Sequence, residues 1–93
     1  MKFISNSDYG KPVETGTIFY TTLNGINVTI HKIIHLDGWF LSCAQFQIDA
    51  QKLKAESLPG AIEESKEILK EYVKNINDFI NRYTSERWEI SRY

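Results

Sequence analysis

Between Thr17 and Cys43 the polar and apolar positions read as three strands separated by two turns. Asn24-Gly25 and Asp37-Gly38 divide runs rich in β-branched and aromatic residues. Such a pair is a strong short hairpin signal, because a type I′ turn needs positive φ at both central positions. A two-residue turn at Asn24-Gly25 sets Leu23 opposite Ile26, Thr21 opposite Val28, Phe19 opposite Ile30 and Thr17 opposite Lys32. Side chains alternate across a sheet, so Phe19, Leu23, Ile26, Val28 and Ile30, continued by Ile34 and Leu36, share an apolar face. A second tight turn at Asp37-Gly38 sets Leu36 opposite Trp39 and Ile34 opposite Leu41, which brings Trp39, Leu41 and Cys43 to the same face. Past Ala44 the alternation would turn Phe46 and Ile48 away from the core. A bulge near Ala44 or Gln45 would return both. The stretch "DAQKLKAES" then reads as a loop or a short strand extension.

From Ser57 the period changes. Ile62, Leu69, Ile76 and Tyr83 recur every seven residues, with Leu58, Ser65, Tyr72 and Phe79 as the companion row. Ile68, Val73 and Ile80 widen the stripe beyond a coiled-coil seam. Ser57 suits an N-cap and Pro59 a first turn. Glu63/Lys66, Glu67/Lys70 and Glu71/Lys74 are opposite-charge pairs three apart, as on a solvated face. Run from Ser57 to about Arg82, the helix would be about 37 Å long at about 1.5 Å per residue, whereas a meander strand spans only about 25 Å. Phe79, Ile80 and Tyr83 therefore need another cover: the tail "SERWEISRY", the N-terminal "KFIS", or a second copy.

The pattern predicts one α+β domain over residues 1–93, an antiparallel three- to four-stranded β-meander covered on one face by one long C-terminal α-helix. Residues 1–14 form an N-terminal segment, 15–50 the meander, 57–83 the helix and 84–93 a tail or edge strand. An apolar fraction of 42% and a charged fraction of 25% are those of an ordinary globular chain. A net charge of -1 supplies no overall attraction to a polyanion. One cysteine, Cys43, allows no intramolecular disulfide, and its place in an apolar strand reads as a small buried side chain. With no stretch of signal-peptide or membrane-span character, a cytoplasmic location, in the producing or a host cell, is the expectation.

Several chemistries lose their footing here. His31 and His35 share a strand face but sit about 13 Å apart at about 3.3 Å per residue, too far to share one zinc ion. Cys43 faces the core while both histidines point the other way, which separates a Cys–His pair. Glu63, Glu64, Glu67 and Glu71 read as a solvated helix face, and no glycine-rich phosphate loop is present. The expectation is no enzyme, no metal and no cofactor.

The segment "GWFLSC…LKAESLPGAIEESKEILKEYV" resembles in outline the HicB-type antitoxin pattern, in which a Gly-aromatic strand leads through a short loop into a helix. The Pro-Asp-Leu-Pro-Gly-Cys stretch of that pattern is replaced by "AQFQID", and the chain is assigned to no family. The three-stranded DNA-reading domains of integrases are similar in outline too, but they use basic residues on the sheet that are lacking here.

The second face mixes Ile18, Tyr20, Ile33 and Phe40 with Thr22, Asn27, Thr29, His31 and His35. Aromatics among neutral polar groups, almost without charge, make the composition of a protein contact. The reading that follows is a stoichiometric protein-binding module, expected to be a homodimer or to capture another protein, as small inhibitors, antitoxins and phage or mobile-element accessory proteins do. Its expected interface is Tyr20, Thr22, Thr29, His31, Ile33 and Phe40 with Phe79 and Tyr83 at the helix end. The alternative is nucleic-acid binding by sheet aromatics and a tail carrying Arg82, Arg87, Trp88 and Arg92.

Overall fold

The computed structural model describes residues 2–87 and 89–92. Five antiparallel strands lie in chain order: β1 (Ile4–Ser5), β2 (Ile18–Leu23), β3 (Ile26–Ile33), β4 (Leu36–Cys43) and β5 (Ile48–Lys52). They are followed by one helix, α1 (Leu58–Ser85). The class is α+β as expected, but the sheet has five strands rather than three or four.

Asn24-Gly25 behaves as its sequence dictates. Both residues have positive φ, 53° and 79°, and the register pairs Leu23 with Ile26, Thr21 with Val28 and Phe19 with Ile30. The Lys32 amide donates to the Thr17 carbonyl at 2.8 Å, which extends the pairing. Asp37-Gly38 does not make the second turn. Ile33 pairs with Leu36, so the turn residues are Ile34 and His35, and His35 takes a left-handed φ of 68°. Gly38 uses its own positive φ, 89°, inside β4, where two extra residues accumulate between the Ile33–Leu36 and His31–Phe40 pairs. An Asp-Gly pair is as fit for a bulge as for a turn, and here the bulge claims it. Moving the turn exposes Ile34 (82%) and half-exposes Leu36, both assigned to the core from sequence. Trp39, Leu41 and Cys43 keep the core face, because the displaced register shifts by an even number.

The two outer strands have local causes. A 3₁₀ turn at Ala44–Phe46, closed by Gln47 at φ 57°, reverses the chain and returns Ile48 to the core and Phe46 to its margin. The bulge falls later, at Asp49-Ala50 on β5, with Ala50 at φ 49° and its amide donating to the Ser42 hydroxyl at 2.9 Å. Gln45 clamps the first hairpin: its Oε1 accepts from the Asn27 amide and its Nε2 donates to the Gly25 carbonyl. At the other edge, Asn6 Oδ1 accepts from the amides of Thr17 and Ile18 at 2.8 and 2.9 Å, which holds β1 beside β2.

Helix α1 starts where Ser57 accepts a hydrogen bond from the Gly60 amide, with Pro59 in the first turn. Glu64 is no solvated ion-pair residue. Its carboxylate accepts from the amides of Lys54 and Ala55 at 2.9 Å and ties the helix to the β5–α1 connection. Glu63–Lys66 and Glu67–Lys70 pair as expected. Ala61 and Ser65 are buried against a core of Phe19, Ile30, Trp39, Leu41, Cys43, Ile48 and Leu53. Cys43 is a buried free thiol, and Trp39 is closed by a T-shaped contact with Phe19 and by the Lys32 ammonium 4.4 Å above its ring.

One helix does not cover this sheet. The four spacings between five strands add to about 19 Å at about 4.8 Å each, against about 10 Å for a helix. Along its axis the mismatch is larger still, since the 28 residues of α1 extend about 42 Å. The radius of gyration is accordingly 17.5 Å, where a compact chain of this length would show about 12 Å.

Candidate interaction surface

The stripe along α1 divides at Tyr72, whose ring stacks on Phe46 with centroids 5.8 Å apart. Before it, Ile62, Ile68 and Leu69 lie against the core. Beyond it, every described residue is exposed. Val73 stands at the end of the sheet, and Ile76, Phe79, Ile80 and Tyr83 carry the same face past it, with Phe79 62% and Tyr83 51% exposed. The rings of Phe79 and Tyr83 stack on each other at 5.7 Å. This overhang is the length mismatch read from the sequence, and neither β1 nor the described tail residues supply its cover.

The width mismatch leaves a groove. Between α1 and the β2–β3 end of the sheet lies an open apolar depression of about 580 Å³, lined by Phe3, Leu23, Ile26, Val28, Phe46, Ile62, Leu69 and Val73. Lys66 and Lys70 stand on its rim, held toward Glu63 and Glu67 at 2.8 and 3.3 Å. The Glu63 carboxyl lies below its ordinary value because Lys66 donates a hydrogen bond to it and adds a favourable charge. Sequence reasoning missed this groove. The clue was the width of the helix stripe, with Val73 outside a single seam, together with Phe3 in the N-terminal segment and Phe46 at the end of the meander.

The mixed face of the sheet is more closed than its composition suggested. Phe40 is only 6% exposed, covered by the stacked His31 ring at 6.1 Å and the Lys52 ammonium at 5.2 Å. The Lys52 ammonium also donates to the Asp37 carbonyl. His31 is engaged at both nitrogens. Nδ1 donates to the Lys32 carbonyl at 3.1 Å, and Nε2 accepts from the Ser42 hydroxyl at 2.8 Å, the tautomer this network selects. Thr22 is bonded to Asn27 across the hairpin. Thr29 and Ile33 are half-buried, and Tyr20 stays exposed beside Ile18 and Ile4. The eight residues expected at an interface thus fall into two regions, with Phe79 and Tyr83 on the overhang apart from the six on the sheet.

Of the residues named for nucleic acid, Arg82 is paired with Glu86 at 3.3 Å, Arg87 and Arg92 are exposed, and Trp88 lies outside the described residues. Among the described residues, no group of three or more His, Cys, Asp or Glu side chains is placed to hold one metal ion. No helix there is long and apolar enough to cross a membrane. Compared with protein families, curated proteins and solved structures, the chain finds no significant match.

Proposed function

We propose that this chain is a non-enzymatic protein-binding module that works by stoichiometric association, as small inhibitors and antitoxin-like proteins do, and that the overhang of α1 is its contact surface. One observation carries the reading: Ile76, Phe79 and Ile80 continue the buried face of α1 beyond the sheet and remain exposed. An aligned row of large apolar side chains is costly to leave in water, at about 25 cal/mol per Å², and contiguous apolar patches mark association sites. The sheet face contributes less, because Phe40 is covered by its own neighbours.

Site-specific photocrosslinking in cells producing the chain tests this. A benzophenone side chain in place of Phe79 should give a discrete covalent adduct with a protein, while the same group in place of Asn81, on the polar side of that turn, should give none. Absence of an adduct from position 79 would sink the reading.

A further inference from the structure

We infer that the overhang is covered by the overhang of a second copy, the two helices running antiparallel about a two-fold axis with each helix end at the mouth of the other copy's groove. This names the partner within the protein-binding reading above and rests on it.

Geometry supplies the first argument. The overhang and the groove adjoin, because Leu69, Lys70 and Val73 line the groove on the turns where the overhang begins. With the overhangs fully overlapped, Tyr72 of one copy is level with Tyr83 of the other, Phe79 with Ile76, and Ser85, the last helical residue, with Lys70. The length of helix beyond Tyr72 therefore brings its end to the groove mouth, where Leu23 and Ile26 are available for it.

Charge supplies the second. At about 100° per residue, the stripe through Ile76 and Ile80 is flanked by Asn75 and Arg82 on one side and by Lys70, Asn77 and Thr84 on the other, while Glu71, Lys74 and Asp78 occupy the far side of the helix. Two-fold pairing sets each flank against a near-copy of itself, yet in this register Asn75 and Asn77 lie at the centre while Arg82 is level with Val73 and Lys70 with Ser85, so like charges do not meet. The heptad repeat supplies the knobs, with Ile76 and Phe79 at the centre.

Area is the third. The half-exposed residues from Tyr72 to Tyr83 offer on the order of 500 Å² per copy, short of the roughly 800 Å² per partner of a standard interface. The groove lining adds to this area, so overhang and groove together come nearer a standard interface than the overhang alone.

Sedimentation of the purified chain between micromolar and several hundred micromolar tests the inference. A concentration-dependent dimer is expected. Asn75→Glu with Asn77→Glu should weaken it about tenfold or more, and Leu23→Glu at the groove mouth should weaken it as well. Glu71→Lys on the far side should leave it unchanged, with far-ultraviolet circular dichroism showing all variants folded. Benzophenone in place of Phe79 should crosslink within the purified dimer to the segment around Ile76 of the other copy. A monomer throughout the range, or a dimer indifferent to the flank charges, overturns the inference. If the chain is monomeric and position 79 captures a different protein in cells, only the second copy is refuted. If position 79 captures nothing, the protein-binding reading falls too.

Discussion

Ile62 and Leu69 in the first half of α1 and Ile76 and Tyr83 in the second are successive members of one seven-residue repeat, yet they meet opposite surroundings. The first pair lies against the sheet and the second projects past it. Nothing in the periodicity distinguishes them. A hydrophobic repeat states which side of a helix is to be covered, and leaves open what covers it. The docked half also carries the anchors that the projecting half lacks: the Ser57 cap, the Glu64 carboxylate on two connection amides, and buried Ala61 and Ser65.

The sharpest way to break this comparison is to place the same charge in each half. Ala61→Asp buries a carboxylate against the core and is expected to cost about 3 kcal/mol or more, a large share of a small domain's stability. Ile80→Asp, in the overhang, is expected to cost less than about 1 kcal/mol. Urea unfolding at concentrations dilute enough for a monomer measures both, and equal losses would mean that the two halves are equally buried within one chain.

A smaller effect separates the halves without mutation. A helical end of this length without tertiary support is marginal, so amides of residues 76–85 should exchange with solvent at least about tenfold faster than those of 61–70. Raising the protein concentration should narrow the gap if association covers the overhang. Uniform protection in the dilute chain would contradict the division at Tyr72.

The smallest effect lies at the groove rim. Glu63 has a folded pKa below its ordinary 4.5, through the Lys66 hydrogen bond first and its charge second. A depressed carboxyl contributes stability above its unfolded pKa and loses it as pH falls through the folded value. Its nuclear magnetic resonance titration should therefore show a midpoint under the ordinary one, moving up in Lys66→Met. The group is fully exposed, so the consequence for overall stability is slight.

Two dipeptides show where local sequence suffices. Asn24-Gly25 became a type I′ turn, and its register followed residue by residue. Asp37-Gly38 carries equivalent local chemistry, yet its glycine serves a bulge while Ile34-His35 makes the turn, at the cost of a left-handed histidine. Strand pairing beyond the turn decides between two placements that local preference alone leaves nearly equal. Similarly, the β5 strand was left open between a loop and a strand extension because Gln47 and Ala50 must adopt left-handed φ, which neither residue type advertises.

The candidate surface divides along the same line. Phe79 and Tyr83 stood out from sequence because a helix longer than any plausible strand has to run past the sheet. Phe40 and His31 looked like a contact face, and they proved to be occupied by each other, by Lys52 and by Ser42. Those partners come from other strands.

The sequence by itself determined the α+β class, the first hairpin, which side of β2, of β3 up to Ile30, of β4 from Trp39 and of the helix is apolar, and the existence of an overhang. Alternation, turn chemistry and rise per residue are local quantities, and they are complete within each segment. Tertiary structure alone decided the fourth and fifth partners of the sheet, the place of the second turn, the clamp made by Glu64 and the groove beside α1. Each depends on groups brought together from distant positions, where a few hydrogen bonds and the ratio of helix width to sheet width outweigh local preference.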